Sequence, residues 1–150
     1  MTKTRYFEDL TLGEKFETET YTLTAEKVHE FASEYDPQFI HVNEEEAKDG
    51  PFGTIIASGW QTLSATMRLM ALIKPFGQNP LIGMRIDDLK FAAPVYPGES
   101  VTVKGEIVEL TKSRTAPRGY VGILLNTINL DTGKLVATQK WTCLVPCREG

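Results

Sequence analysis

The order of apolar and polar positions in the first quarter of the chain predicts a strand and then a helix. Residues 16–23 alternate in side-chain character, which is typical of a strand. Residues 25–35 carry apolar side chains at helical spacing, and Thr24 before them is a good N-cap. Pro37 disfavours helical backbone at the preceding residue, so we expect the helix to end there.

Two more helical segments follow. Residues 43–47 begin with Asn43, and Glu46 three places later completes a capping-box pattern. Residues 60–74 are apolar on almost every side of a helix. Such a helix must be covered on all sides. We therefore expect a long, buried central helix.

The second half of the chain predicts four strands, at residues 83–95, 101–110, 120–130 and 134–145. Pro97 and Gly98 suit a type II turn, and the Asp-Thr-Gly sequence at 131–133 suits a hairpin. We expect hairpins to join most of the five strands, and strands joined by hairpins are antiparallel. The expected fold class is α+β, with an antiparallel sheet of about five strands wrapped around the central helix. We treat residues 1–150 as one domain.

A second copy of the chain is the simplest cover for the rest of the central helix. A sheet of about five strands covers only one side of a helix that is apolar all round. Two copies that pack together would bury both helices between their sheets. We therefore expect a homodimer or a higher homo-oligomer, with ligand sites at or near the subunit interface.

Composition and charge narrow the function classes. The 150 residues are 41% hydrophobic and 24% charged, with a formal net charge of -4, which argues against a nucleic-acid partner. No apolar stretch is long enough for a membrane span, and the first residues contain no apolar signal region. Cys143 and Cys147 are too far apart on an extended strand to bridge. We expect free thiols, a cytoplasmic location and no metal site.

The candidate chemistry centres on Asp36 and His41. Fully extended, the intervening chain would hold them roughly 17 Å apart. A turn with Asp36 first and Pro37 second would fold the chain back and place a carboxylate and an imidazole around one water. Two such titratable groups can take a proton from water and deliver one to carbon. Burial would raise the pKa of Asp36. Which of the two acts as base is left open, with a preference for Asp36.

Three further residues fit a thioester site. Gly59, at the start of the central helix, would offer a backbone N–H at the positive end of the helix dipole to a developing oxyanion. Trp60 and Phe39 are candidates to line the acyl pocket. Arg114, in the basic segment 111–119, is a candidate for binding the phosphates of coenzyme A, because the guanidinium fork matches phosphate oxygens.

Several separated motifs resemble those of the MaoC-like dehydratases, a hotdog-fold family that includes the (R)-specific enoyl-CoA hydratases. The resemblance covers residues 5–146 and rests on the segments YFEDLTLGEKFET, FASEYDPQFIH, IASGWQTLS and LKFAAPVYPGESVTVKGEI. The chain departs from the hydratase signature at Gln38 and Phe39, which stand in its Asn and Pro places. Ser58 stands where characterised hydratases often have His.

The resemblance implies a reversible enoyl-thioester hydratase, or (R)-3-hydroxyacyl-thioester dehydratase. It implies Asp36 and His41 as the catalytic pair, Gly59 as oxyanion donor and Ser64 as a supporting residue. It also places Ser58 beside the substrate. No separate cofactor is implied, because coenzyme A is part of the acyl-CoA substrate.

Two other functions stay open from the sequence. A hotdog acyl-CoA thioesterase would need only one carboxylate to activate water, which would leave His41 without a role. An acyl-CoA-binding domain without turnover is the other alternative, and the changes at Gln38 and Phe39 keep it open.

Overall fold

The structure is a computed structural model, and it describes residues 3–148. After a 3₁₀ turn at Phe7–Asp9, the elements in chain order are β1 (Lys15–Thr22), α1 (Ala25–Tyr35), α2 (Phe39–Val42), α3 (Glu44–Ala47), α4 (Gly59–Ile73), β2 (Ile82–Phe91), β3 (Ser100–Lys112), β4 (Arg118–Asn129) and β5 (Leu135–Pro146).

The five strands form one antiparallel sheet with the order β1-β3-β4-β5-β2. The expected fold class, an α+β hotdog arrangement of one sheet and one long helix, is confirmed. The expectation that hairpins join most strands is wrong in part, because only β3–β4 and β4–β5 pair as consecutive strands. β2 instead crosses to the far edge and pairs with β5, while β3 pairs with β1.

Helix α4 packs on the concave face of the sheet. Alternate residues of β4 are buried on that face, and they form one apolar cluster with Leu69 and Met70 of the helix. Gly105 of β3 makes room for this contact, since a Cβ there would lie 3.2 Å from Leu125 and 3.7 Å from Met70. The centre of α4 therefore lies against the middle of the sheet.

The outer side of α4 is exposed in the single chain, as expected for a helix that one sheet covers on one side only. Trp60 is 63% exposed, Met67 41% and Leu72 57%. The reason is geometric, because one sheet covers only one side of a helix. None of the helices within residues 3–148 is both long and apolar enough to cross a membrane.

Several local sequence signals act as expected. Thr24 accepts a hydrogen bond from the Lys27 N–H and caps α1, and Asn43 caps α3. Glu99 N–H donates to the Tyr96 carbonyl at 3.1 Å, and Gly98 between them has a φ of +94°. That positive φ is the geometry of the predicted type II turn.

The two faces of β4 should differ in their contribution to stability. Leu125 is fully buried against α4, whereas the adjacent Leu124 faces outward and is 38% exposed. We expect Leu125→Ala to lower the free energy of unfolding by about 2–5 kcal/mol, because it removes buried methyl groups and leaves a cavity. Leu124→Ala, the matched control, should cost less than about 1 kcal/mol. Urea titration of both variants measures the difference, and equal costs would contradict the assigned faces.

Candidate active site

The first part of the site along the chain is a three-residue turn centred on Pro37. Helix α1 ends at Tyr35, and the Gln38 N–H donates to the Asp36 carbonyl at 2.8 Å. The turn therefore closes one residue earlier than the four-residue turn expected from the sequence, because the locked φ of proline suits the centre of an inverse γ-turn. The Gln38 carbonyl then accepts the His41 N–H at 2.9 Å as α2 begins.

The turn brings Asp36 and His41 into contact. His41 Nε2 lies 3.2 Å from Asp36 Oδ2, with 5% and 15% of the two side chains exposed. The other ring nitrogen, Nδ1, lies 2.7 Å from the Ile56 carbonyl oxygen. A carbonyl oxygen can only accept, so Nδ1 carries a proton and donates. Nε2 is thereby directed at the carboxylate.

Two other side chains donate to the Asp36 carboxylate. Gln38 Nε2 donates to Oδ1 at 2.6 Å, and Ser58 Oγ donates to Oδ2 at 2.7 Å. Burial by itself would raise the pKa of Asp36, as expected from the sequence. The hydrogen bonds from Gln38 and Ser58, together with the charge and hydrogen bond of His41, outweigh burial and hold this pKa below its ordinary value. The expected direction was therefore wrong.

The start of α4 forms the next part of the site. Ser58 is the N-cap of this helix, and its Oγ accepts the Trp60 N–H at 3.2 Å. The Gly59 N–H has no hydrogen-bond partner within residues 3–148. A Cβ at Gly59 would lie 2.7 Å from Cε1 of Phe91, so the missing side chain lets this ring approach the helix start.

A cavity of about 430 Å³ joins these groups. Asp36, His41, Gly59 and Trp60 all line it, as the sequence predicted for a shared site. The remaining wall is mostly apolar and includes Phe52 after α3 and the segment 91–95, which begins with the last residue of β2. The site therefore combines two titratable groups and a free backbone donor with an apolar pocket.

Three predicted residues lie elsewhere than expected. Ser58 is completely buried behind Asp36, so its hydroxyl contacts the carboxylate rather than a substrate. Ser64 donates to the Trp60 carbonyl of its own helix at 2.9 Å and lines a neighbouring surface cleft. Phe39 is 42% exposed and packs toward Gly50, outside the cavity.

Arg114 lies at the opposite end of the sheet from the cavity. Its loop, residues 113–117, precedes Arg118, which pairs with Pro146 at the end of β5. The cavity wall follows Phe91, which pairs with Ala137 near the start of β5. These two ends of β5 are roughly 30 Å apart at the rise of an extended strand. Arg114 therefore cannot reach the Asp36–His41 pair of the same chain.

Sequence reasoning missed two residues that shape the site. Gln38 was noted only as a departure from the hydratase signature, although its place two residues after Asp36 in a proline turn suits a side-chain contact. Phe91 lines the cavity because β2 pairs with β5, and no local sequence pattern indicates this pairing. Within the described range 3–148, no group of three or more His, Cys, Asp or Glu side chains is arranged to hold a metal ion.

A family model described as MaoC like domain matches residues 8–127. The chain belongs to the MaoC-like family. The family resemblance expected from the sequence is thus confirmed. The family match includes the Asp36–His41 pair and the start of α4.

Relatives of this MaoC-like chain include proteins of known and unknown activity. The "Uncharacterized protein YdeM" of Bacillus subtilis (strain 168) is 33% identical over 122 residues, which are 81% of this chain and 86% of the relative. The "3-hydroxyacyl-thioester dehydratase Z" of Mycobacterium tuberculosis is 39% identical over 101 residues, or 64% of this chain and 66% of the relative. A crystal structure of a MaoC-like dehydratase from Rhodospirillum rubrum superposes with a TM-score of 0.86 at 30% identity, and covers 97% of this chain and 99% of that one.

Because the pKa of Asp36 is lowered, the stability of the fold should depend on pH. Its ordinary pKa is 3.8, and folding lowers it. Ionised Asp36 therefore stabilises the fold above about pH 4, and this contribution is lost as the pH falls through the folded-state value. We expect Asp36→Asn to reduce the free energy of unfolding most at pH 7, and the difference from wild type to shrink toward zero at acid pH. Denaturant titrations between pH 7 and pH 3 measure it.

Glu34→Gln, an exposed change on the same helix, serves as the control for the pH series and should follow wild type. A difference between Asp36→Asn and wild type that stays constant down to pH 3 would show that the carboxylate is not held in its ionised form.

Proposed function

We propose that this chain is an enoyl-thioester hydratase, which in reverse is an (R)-3-hydroxyacyl-thioester dehydratase, acting on acyl-CoA. The observation that carries the proposal is the Asp36–His41 pair, 3.2 Å apart, in one cavity with the free N–H of Gly59. The name of the Mycobacterium tuberculosis relative supports the reaction class.

The hydrogen bonds of the pair indicate where its proton resides. Because Nδ1 of His41 donates to Ile56, a neutral ring would face Asp36 with a lone pair on Nε2. Two lone pairs repel, so the contact is stabilised when one proton lies between the two residues. The donors Gln38 and Ser58 favour the carboxylate form of Asp36. In the proposed mechanism the proton between the two residues is the one that Nε2 of His41 delivers to carbon.

This arrangement gives each residue a distinct role in hydration. Oδ2 of Asp36 faces two donors, Ser58 and His41. Within residues 3–148 Oδ1 accepts only from Gln38, which leaves it a lone pair for water. Asp36 takes a proton from that water while the oxygen of the water bonds to the β-carbon of the enoyl thioester. The electrons of the double bond move toward the thioester carbonyl, and the α-carbon then takes a proton from His41. One proton passes from Asp36 to His41 to restore the pair.

The Gly59 N–H stabilises the negative charge that develops on the thioester oxygen. It lies at the start of α4, a helix of 15 residues, where the helix dipole favours an anion. A donor that is already in place for an oxyanion contributes about 3 kcal/mol to lowering the barrier. Addition of water is neither an oxidation nor a reduction, so the reaction requires no redox cofactor.

A homodimer would cover the apolar surface that the single chain leaves open. Ile82, Met84 and Ile86 of β2 are 43%, 54% and 56% exposed, beside the exposed Trp60 and Met67 of α4. In the described part of the chain β2 is also an edge strand with only β5 as neighbour. A long apolar edge is a template for pairing with another chain. We infer that two copies associate through β2 and the outer side of α4.

Such a dimer would also give Arg114 a use. A two-fold axis that pairs the two β2 strands antiparallel reverses the direction of the partner's sheet. The loop 113–117 of the partner subunit would then lie at the same end as this chain's cavity. Its arginine fork suits the phosphates of the coenzyme A part of the substrate.

The two cysteines fit a reducing compartment. Cys143 and Cys147 are both buried and free, and burial raises the pKa of the Cys143 thiol to about 11, which keeps it unreactive. We therefore place the reaction in the cytoplasm.

Activity of the Asp36 and His41 variants tests the proposal. We expect wild type to hydrate enoyl-CoA of short or medium chain length. The reaction is measured as the loss of enoyl absorbance. Asp36→Asn and His41→Gln should each lower kcat by about 10² to 10⁴, the usual contribution of a positioned acid or base. Ser33→Ala, on the exposed face of α1, is the control and should retain wild-type rates.

Full activity in both variants would disprove the assigned roles. Release of free coenzyme A from saturated acyl-CoA without enoyl hydration would instead establish a thioesterase. Tight binding of acyl-CoA without any turnover across an enoyl panel would establish a binding domain.

Oligomeric state tests the inferred interface. We expect wild type to sediment at twice the mass of one chain. Ile86→Lys should weaken this association by at least about tenfold, because it places a charge in the centre of an apolar interface. Val108→Lys, at an exposed apolar residue of β3, is the matched control and should stay dimeric. A wild-type protein that remains monomeric at micromolar concentration would contradict the interface.

A further inference from the structure

The carboxylate of Asp36 accepts hydrogen bonds from more side chains than the proposed reaction requires. Hydration uses the contact with His41, but Gln38 and Ser58 each add a donor, at 2.6 Å to Oδ1 and 2.7 Å to Oδ2. One oxygen would be enough for a structural contact. Here both oxygens are held, from two separate parts of the chain.

Ser58 has its hydroxyl direction fixed by its second contact. The Ser58 oxygen accepts the Trp60 N–H, so the hydroxyl proton points away from the helix and is donated to Asp36. The side chain is completely buried, which excludes competition from solvent. Ser58 therefore links the carboxylate to the first turn of α4, at the positive end of the helix dipole.

Gln38 holds the other oxygen through the proline turn. The backbone bond from Gln38 N–H to the Asp36 carbonyl, 2.8 Å, folds residue 38 back over residue 36. The Gln38 side chain is exposed, and its hydrogen bond to Asp36 is the one it makes within the described residues. Within residues 3–148 Oδ1 has no other hydrogen-bond donor, and Asp36 lines the cavity.

We propose that Gln38 and Ser58 are positioning residues that keep the Asp36 carboxylate ionised and aimed at the water in the cavity. The role of that water rests on the proposed function, since it assumes that Asp36 is the base for hydration. Neither residue touches the reacting atoms. Each acts through Asp36, so its loss changes the pH at which the site works rather than the binding of the substrate.

The physical effect has a definite sign. Burial raises the pKa of Asp36, and the bonds from Gln38 and Ser58 with the charge of His41 lower it further than burial raises it. Removal of one donor therefore raises the pKa of Asp36. The base is then protonated at a higher pH, and the acid limb of kcat/KM moves toward neutral pH.

The experiment compares pH profiles of four proteins: wild type, Gln38→Ala, Gln38→Glu and the control Glu34→Gln. We expect Gln38→Ala to move the acid limb up by about 0.5 to 1 pH unit and to lower kcat about tenfold with KM within threefold, since a hydrogen bond to a charged group is lost. Gln38→Glu keeps the size of the side chain but adds a like charge, so its loss should be larger. Glu34→Gln should match wild type.

Ser58→Ala tests the other donor, and it should also move the acid limb of kcat/KM to higher pH. It also removes the cap of α4, so thermal unfolding is recorded alongside. Ser58→Thr keeps a hydroxyl for both contacts and should recover most of the wild-type profile. Gln38 is exposed, so its variants remain informative even if Ser58→Ala fails to fold.

A titration of the Asp36 carboxyl carbon by NMR separates this inference from the proposed function. It needs no substrate, and the Asp36 midpoint should rise in Gln38→Ala and Gln38→Glu. Wild type without hydratase activity would overturn the proposed function, and the titration would still decide whether the two residues hold the carboxylate. An unmoved midpoint and an unmoved acid limb, or Gln38→Glu equal to wild type, would overturn the inference.

Discussion

The hydrogen bond from Ser58 to Asp36 is the contact on which the rest of the site depends. It joins the end of α1 to the start of α4, two elements separated by 22 positions along the chain. Because Ser58 also caps α4, the same hydroxyl positions the carboxylate and the free N–H of Gly59 relative to each other. The two halves of the chemistry, proton transfer and charge stabilisation, are thus held by one side chain.

The extended segment between α3 and α4 holds the imidazole in a similar way. Ile56 N–H donates to the Ile40 carbonyl at 3.0 Å, and Ala57 N–H donates to the Val95 carbonyl at 2.8 Å. The Ile56 carbonyl in the same segment accepts from His41. Backbone bonds on both sides of the segment therefore define the ring orientation. The contact with Ile56 places a proton on Nδ1 and leaves Nε2 to face Asp36.

Features set by neighbouring residues could be predicted from the sequence, and features set by distant ones could not. Thr24 and Gly98 act through their own dihedral angles and nearest hydrogen bonds, so their effects could be predicted. The end of α1 before Pro37 could be predicted in the same way, whereas the turn at Pro37 is one residue shorter than expected. The place of β2 beside β5 and the position of Phe91 in the cavity both depend on pairing between remote segments. Ser58 was recognised as part of the site, but its contact with Asp36 required the three-dimensional arrangement.

The position of β2 at the far edge of the sheet has a consequence for biosynthesis. Among the described residues β5 is the only strand that pairs with β2, and the Ala92 N–H donates to the Val136 carbonyl at 2.7 Å. The wall that faces Asp36 therefore cannot be secured until the last strand has left the ribosome. The β3–β4–β5 meander can fold from local contacts, whereas closure of the pocket must wait for contacts of high sequence separation. A nascent chain that stalls before residue 135 would carry the acid and the imidazole without a chamber around them.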